Sequence, residues 1–377
     1  MFFFKRKFFT LLLGFIVTCG QSQDISFIAL GDLHYDRLDL HDWDYVMKRP
    51  QDFEQIMKEY PQITAVYLPK FLRLIKEQSL VITPPVKAVV QLGDLVEGVA
   101  GNERLAREMN RGVVDLLYSV EMAVPWILVK GNHDVSNSPG QPEAWQEVIR
   151  PFIEGQVNSP VGRGMYTHRL TGQVELFVLD QFFSVDQNLP ETAMLSFLEE
   201  VFSKSEARFK FVLTHQPVIP VTDRCWHLMS GIRRPLSDPR LRERLLNLLA
   251  KNKAIVLCAH LHKYSVVSRK TEAGAVVQVM INSVVGSFDL KASVEVETEY
   301  KGAGFVEENP TFQLHNQEVR KKILENEKPN IQYFTRADLS GYAIISVYEK
   351  ENKVVLKYYN GFSADPFQSL ELSAWWE

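Results

Sequence analysis

The chain has 377 residues, of which 46% are hydrophobic and 23% charged, with three cysteines and a formal net charge of -4. At roughly 150 residues per domain this is two domains or one large elaborated α/β domain, and the average apolar, Gly and Pro content excludes disorder, collagen and coiled coil. The charge moves from -4 to -7 once Lys5, Arg6 and Lys7 leave with a cleaved leader, which makes a nucleic-acid partner a poor fit.

Residues 1–23 form that leader: the basic Lys5-Arg6-Lys7, an apolar run from Phe8 to Thr18, then small and polar residues through Gln23. The run is shorter than the about 20 apolar residues needed to span a bilayer, and its flanks are those of a secretory signal peptide. The expected location is extracytoplasmic: periplasmic, secreted or lipid-anchored at the cell envelope. Ile16-Val-Thr-Cys19 resembles a bacterial lipobox, with Thr18 bulkier than the usual residue. Two outcomes follow, a lipid on Cys19 as the one membrane contact, or cleavage near Gly20 or Ser22 with Cys19 discarded. The remaining Cys225 and Cys258 write no disulfide framework.

In the mature chain, near-continuous apolar runs predict strands buried on both faces over Ile25–Leu30, Val86–Leu92, Trp126–Lys130, Phe209–Thr214 and Ala254–Ala259. Amphipathic patterns between them predict helices over Val66–Lys76, Glu103–Val120, Thr192–Phe202 and Leu241–Leu249. Three hairpins are expected, Tyr166–Leu170 with Val174–Leu179, Val266–Arg269 with Val276–Ile281, and Tyr342–Val347 with Val354–Tyr359. They suggest a second, more antiparallel sheet beside an α/β core. Residues 286–335, acidic at Glu295, Glu297, Glu299, Glu307 and Glu308, read as a surface excursion.

Each buried strand delivers polar residues at its carboxyl end: Asp32 and His34, then Asp94, then Asn132-His133-Asp134, then His215, then His260 and His262. Strand ends of an α/β sheet line one crevice, so these residues converge. The pairs Asp32/His34 and His260/His262 are spaced to point one way from extended backbone, and a carboxylate such as Asp94 can bridge two ions. This nitrogen and oxygen set without thiolate suits two divalent transition-metal ions, Mn, Fe, Zn, Co or Ni. Two such ions, two carboxylates and a bridging hydroxide leave the site about one positive charge inside an acidic protein, which draws in anions. A metal-bridging hydroxide attacking a phosphoester in line is the chemistry this supports. His133 is placed to stabilise the transition state or protonate the leaving oxygen, with Asp134 orienting its ring.

The ordered motifs Asp-x-His, Gly-Asp, Gly-Asn-His-Asp, a lone His and His-x-His, spread over Ile25–Lys263, resemble the calcineurin-like metallophosphoesterases. The resemblance implies an α/β layered sandwich, two mixed β-sheets flanked by α-helices, and a metal-dependent phosphoric ester hydrolase. It implies one metal held by Asp32, His34, Asp94 and His262, another by Asp94, Asn132, His215 and His260, and His133 as the catalytic histidine. Ala259 stands where the family usually has a glycine, and Leu95-Val96-Glu97 lacks the tyrosine of purple acid phosphatases, which argues against an iron(III)–tyrosinate centre. Three segments are expected: the leader 1–23, a phosphoesterase core 24–265, and an extension 266–377 whose hairpin strands complete the second sheet.

Arg224 and His227, on the loop after His215, are candidate substrate contacts, while His168 and Asp180 read as structural. The polar, aromatic stretch Tyr35–Tyr60 is either a pocket wall or a surface loop. The leading expectation is an exported hydrolase of a small phosphomonoester or phosphodiester. The rivals are a non-catalytic binding module that keeps the fold, and a nuclease, which the acidic chain fits poorly.

Overall fold

The computed structural model describes residues 23–135, 138–162, 164–182, 191–232, 236, 238–289, 294–308 and 316–376. Apart from Gln23 the leader, with Cys19, lies outside the described residues. Among the described residues no helix is long and apolar enough to cross a membrane.

The first three strands, β1 (Ile25–Leu30), β2 (Val86–Gln91) and β3 (Trp126–Leu128), lie parallel and side by side. Helices make the crossovers between them: Leu68–Val81 from β1 to β2, and Glu103–Ser119 from β2 to β3. The second starts cleanly because the Asn102 side chain accepts a hydrogen bond from Leu105 N. It buries Leu105, Met109, Val113 and Leu117, one stripe at helical spacing. The first begins two residues later than its pattern suggests, after a π-helical turn over Ile63–Tyr67.

The next strands are the hairpin β4 (Tyr166–Arg169) and β5 (Val174–Val178), then β6 (Phe209–Leu213) and β7 (Ile255–Cys258), then the hairpin β8 (Tyr264–Thr271) and β9 (Gly274–Met280). Beyond them come β10 (Val296–Glu297), β11 (Ile331–Ala337), β12 (Gly341–Tyr348), β13 (Lys353–Asn360) and β14 (Gln368–Glu371). They assemble into two mixed sheets, β14-β13-β12-β1-β2-β3 and β10-β11-β8-β9-β7-β6-β5-β4. The sheets face each other. Phe27 of β1 meets Phe211 of β6 edge to face at 4.9 Å, and Tyr264 of β8 stacks on Tyr358 of β13 at 3.9 Å.

Two expectations need correction. The last hairpin does not extend the second sheet: β12 pairs antiparallel with β1, from Ile25 with Val347 to Ala29 with Ala343, so the C-terminal extension feeds both sheets. The reason is burial, since seven of the eight β12 residues are buried and such a strand must sit inside a sheet, not at its rim. Nor is 286–335 only a surface excursion. Tyr300, Phe305, Val306, Leu324 and Phe334 are buried against the second sheet, and β11 pairs with β8. The acidic residues Glu295, Glu299, Glu307 and Glu308 do stay exposed, while Glu297 pairs with Arg336 at 2.7 Å.

Phe27 fills the space between the sheets with no exposure. Phe27→Ala is expected to lower the unfolding free energy by about 3–5 kcal/mol, read as a shifted midpoint in urea.

Candidate metal centre

The loops after β1 and β2 continue the strands' pairing. Leu33 N and His34 N both donate to Asp94 O at 3.0 Å, Tyr35 N donates to Leu95 O, and Glu97 N returns to Tyr35 O. The third loop is tied to them by Asp134, whose Oδ1 accepts from Leu95 N at 2.9 Å and Val96 N at 3.2 Å and whose Oδ2 accepts from Gly131 N at 2.8 Å. Buried Gln91 donates to Gly31 O and Gly93 O. This packing leaves no room at Gly131, where a Cβ would lie 2.1 Å from Asp94 N, or at Gly93 (φ +95), where it would meet His215 Nδ1 at 2.5 Å.

Six of the seven side chains named from the sequence as metal ligands come together here in two groups, and the seventh, Asn132, borders the second. Asp32, His34 and His262 form one, and Asp94, His215 and His260 the other, each offering donor atoms within 4.8 Å of one another. In the first, His34 Nε2 and His262 Nε2 are 2.9 Å apart, and Asp32 Oδ1 is 3.9 Å from His262 Nε2. In the second, His215 Nε2 lies 3.1 Å from each of Asp94 Oδ2, Asn132 Oδ1 and His260 Nδ1. Asp94 Oδ2 is also 4.0 Å from His34 Nε2, which makes Asp94 the link between the groups.

These spacings fit ions held in common. Donors bound to one ion at about 2.0–2.2 Å sit roughly 2.9–3.4 Å apart when adjacent and about 4 Å apart when opposite. Without an ion, imidazole nitrogens facing one another at 2.9 to 3.1 Å need a proton on one ring to donate to the other. The backbone is bent to the same end: His34, Asp94, His260 and His262 all have positive φ, between 46° and 78°. Four non-glycine ligands in the left-handed region are strain retained at a site. Ala259 is not among the positive-φ residues, so alanine in place of glycine costs nothing there.

Hydrogen bonds fix which ring nitrogen faces the centre. His34 Nδ1 is held by Glu97 Oε2 at 2.8 Å and His215 Nδ1 by Leu92 O at 2.9 Å, turning each Nε2 inward. His133 Nδ1 donates to Glu97 O at 2.8 Å, and its side chain, 24% exposed, keeps Nε2 for the crevice. Burial drives His34 down to about 3 and His262 to about 4, so both offer neutral lone pairs. Burial opposes charge on His215 and His133 as well, but Asp94 beside the first, and Glu97 with Asp94 beside the second, raise both to about 9. Asp94 itself is held well below the usual carboxylate range by His215, His133 and His34, against the effect of burial.

Two sequence expectations change. Asp134 does not orient His133, because its two oxygens are occupied by Leu95, Val96 and Gly131, and it braces the loops instead. His227 does not reach the centre: its Nδ1 binds Cys225 O, and it lines a separate cavity of about 600 Å³ with Arg242, Arg269 and Glu327. Arg224 lies 4.8 Å over the Trp226 ring, which is 5.6 Å from the His260 ring, at the edge of the second group. Two residues were missed. Glu97 is fully buried and touches both His34 and, at 3.4 Å, His133. Tyr60 stacks on His34 at 4.4 Å, so the Tyr35–Tyr60 stretch walls the centre at its far end. The signal for Glu97 was an acid three residues past Gly93-Asp94 inside an apolar stretch. Cys225 and Cys258 are both free and buried.

The calcineurin-like phosphoesterase family model matches residues 25–264. No curated protein matches the chain in sequence. Among solved structures it is similar to a purple acid phosphatase from yellow lupin (Lupinus luteus) seeds, with TM-score 0.52 and 12% identity over 93% of this chain and 54% of that one. It is similar to PhoD, with TM-score 0.51 and 14% identity over 93% and 68%. It is also similar to a dimetal phosphatase from Danio rerio, with TM-score 0.53 and 13% identity over 92% and 98%. The chain spans about half the length of the lupin enzyme.

Glu97→Ala, which frees the ring of His34, is expected to weaken metal binding by about 10–100-fold with the circular dichroism unchanged. Because His215 holds a proton up to about 9 and must lose it to bind an ion, metal affinity is expected to rise about tenfold per pH unit below that value and flatten above it. Titrations of the metal-free protein between pH 6.5 and 9.5 read this slope.

Proposed function

Since this chain belongs to the calcineurin-like phosphoesterase family, we propose that it is an exported, metal-dependent hydrolase of a small phosphomonoester or phosphodiester. The observation that carries the reading is the pair of donor groups joined through Asp94 at the ends of five strands from two sheets. The donors, four imidazoles, two carboxylates and one amide oxygen with no thiolate, suit two divalent ions chosen from Mn, Fe, Zn, Co and Ni. When bound, such a pair supplies a water of lowered pKa and a clamp on the attacking and leaving oxygens of an in-line displacement.

The chain's own residues then have separate tasks. Asp32, His34, Asp94 and His262 hold one ion, and Asp94, Asn132, His215 and His260 the other. Glu97 keeps the His34 ring turned and, through its carbonyl, keeps the His133 proton on Nδ1 and its other nitrogen toward the crevice. Glu97 and Asp94 beside it favour a proton on His133, against burial, and raise it to about 9 in the absence of ions. A cation there stabilises charge gathering on the phosphoryl oxygens and can pass a proton to the leaving oxygen from Nε2. Arg224, at the edge of the second group, is the residue assigned to an outer oxygen or substituent of the substrate.

Export is supported by the basic and then apolar order of residues 1–23. It directs attention to extracytoplasmic phosphoesters such as nucleotides, sugar phosphates and lipid head groups. No basic stripe suited to a nucleic acid accompanies the acidic balance, and all seven ligand positions hold competent donors, which leaves little support for a fold kept only for binding.

Turnover of p-nitrophenyl phosphate and of its bis ester, followed by a phosphoester panel with each metal, tests the reading. A metal-loaded protein inert to the whole panel sinks it. His133→Ala is expected to cut turnover by about 10²–10⁴-fold while elemental analysis finds the metal content unchanged.

A further inference from the structure

The helices Leu68–Val81 and Glu103–Ser119 run back against the parallel strands β1, β2 and β3, so their C-terminal ends lie at the strands' N-terminal ends, opposite the metal centre. At that end Leu80, Val81 and Tyr118 are 65%, 72% and 58% exposed. Ala123 is exposed nearby, with Met122 and Val124 half-buried. The two helix ends are held together by Lys76 Nζ and Glu121 Oε2 at 3.4 Å, which gathers these side chains into one rim. Single exposed apolar residues are ordinary, whereas a gathered set marks a contact surface.

The chain enters the fold at this same end. Ser26 N donates to Pro85 O at 2.9 Å, just beyond Val81, and Asp24 Oδ1 accepts from Glu349 N at 2.9 Å. Only residues 19–23 separate Asp24 from the apolar run Phe8–Thr18. Those six steps reach at most about 20 Å, so whatever holds the run is close to the rim. Lys76, Lys87 and Lys350 are offset there by Glu77, Glu121 and Glu351, so the surface has no charge preference and offers apolar contact.

We infer that this rim rests on a lipid bilayer, with the N-terminal segment as the anchor and the metal centre facing away from the membrane. The inference rests on the reading of residues 1–23 as a segment that delivers the chain to a membrane and leaves it attached by a lipid on Cys19. A single short anchor gives marginal, reversible attachment, and a second contact makes it stable. The rim supplies that second contact. Held this way, the crevice opens to the aqueous side, where a diffusing phosphoester reaches it.

Hydrogen exchange of the full chain reconstituted on phosphatidylcholine vesicles tests this, with the double variant L80E/V81E alongside. Both positions are exposed, so the variant keeps the fold and the basal phosphoesterase rate. On vesicles, amides of 79–84 and 119–125 are expected to exchange at least fivefold slower in the wild type than in the variant, with no difference in the metal-centre loops. Replacing a fifth of the lipid with phosphatidylglycerol is expected to leave that ratio unchanged. A vesicle-bound chain whose 79–84 amides exchange alike in both proteins overturns the inference and leaves the anchor intact. Recovery of the mature protein from cells in soluble form, without leader or lipid, overturns the anchor and the inference together. Protection that appears without vesicles, along with a doubled mass in sedimentation that L80E/V81E abolishes, overturns it in favour of a second copy of the chain.

Discussion

The carboxylate of Asp94 is the point on which the rest of the centre depends. Its Oδ1 accepts the His133 amide at 2.8 Å, its Oδ2 faces His215 and His34, and its carbonyl accepts the amides of Leu33 and His34. One residue therefore ties together the ends of three strands and both donor groups. A carboxylate so buried is tolerable only because cationic partners surround it. Its positive φ of 53° is the conformational cost of aiming it at all of them, and the pairing of the loops on either side keeps it there.

Much of this could be read in the sequence because the strands are buried on both faces. Continuous runs such as Phe209–Leu213 stand out from their surroundings, and in a parallel arrangement their ends must gather at one edge. The ligands follow those runs directly, so their meeting required no knowledge of long-range packing. Other features depend on such packing. Whether Tyr342–Val347 joins one sheet or the other is decided by which edge lacks a partner, a property of the assembled sheets and not of the strand's own composition. Glu97 is not legible as a site residue because the residue that gives it a purpose, His34, lies 63 positions away. Asp134 follows His133 in the chain, and adjacency suggested a partnership that the turn does not allow. Its side chain points back to the β2 loop.

Electrostatics divides the five histidines of the centre by the same logic. Those whose burial outweighs nearby carboxylates, His34, His260 and His262, are neutral. His215 and His133, closest to Asp94 and Glu97, are charged when the centre holds no other cation. The pocket is thus balanced in two ways, by protons or by metal ions, and exchanging one for the other need not disturb the loops that enclose it.

The pairing of β1 with β12 joins residues 320 positions apart, as in the Ser26–Ser346 contact at 2.8 Å. During synthesis, β1 emerges first and waits with one edge bare until almost the whole chain has been made. The loop that carries Asp32 and His34 hangs from that strand, so a strand made after the last ligand, His262, completes the sheet from which the first two ligands hang. Until β12 is made, the strand that carries the first two ligands keeps its outer edge unpaired.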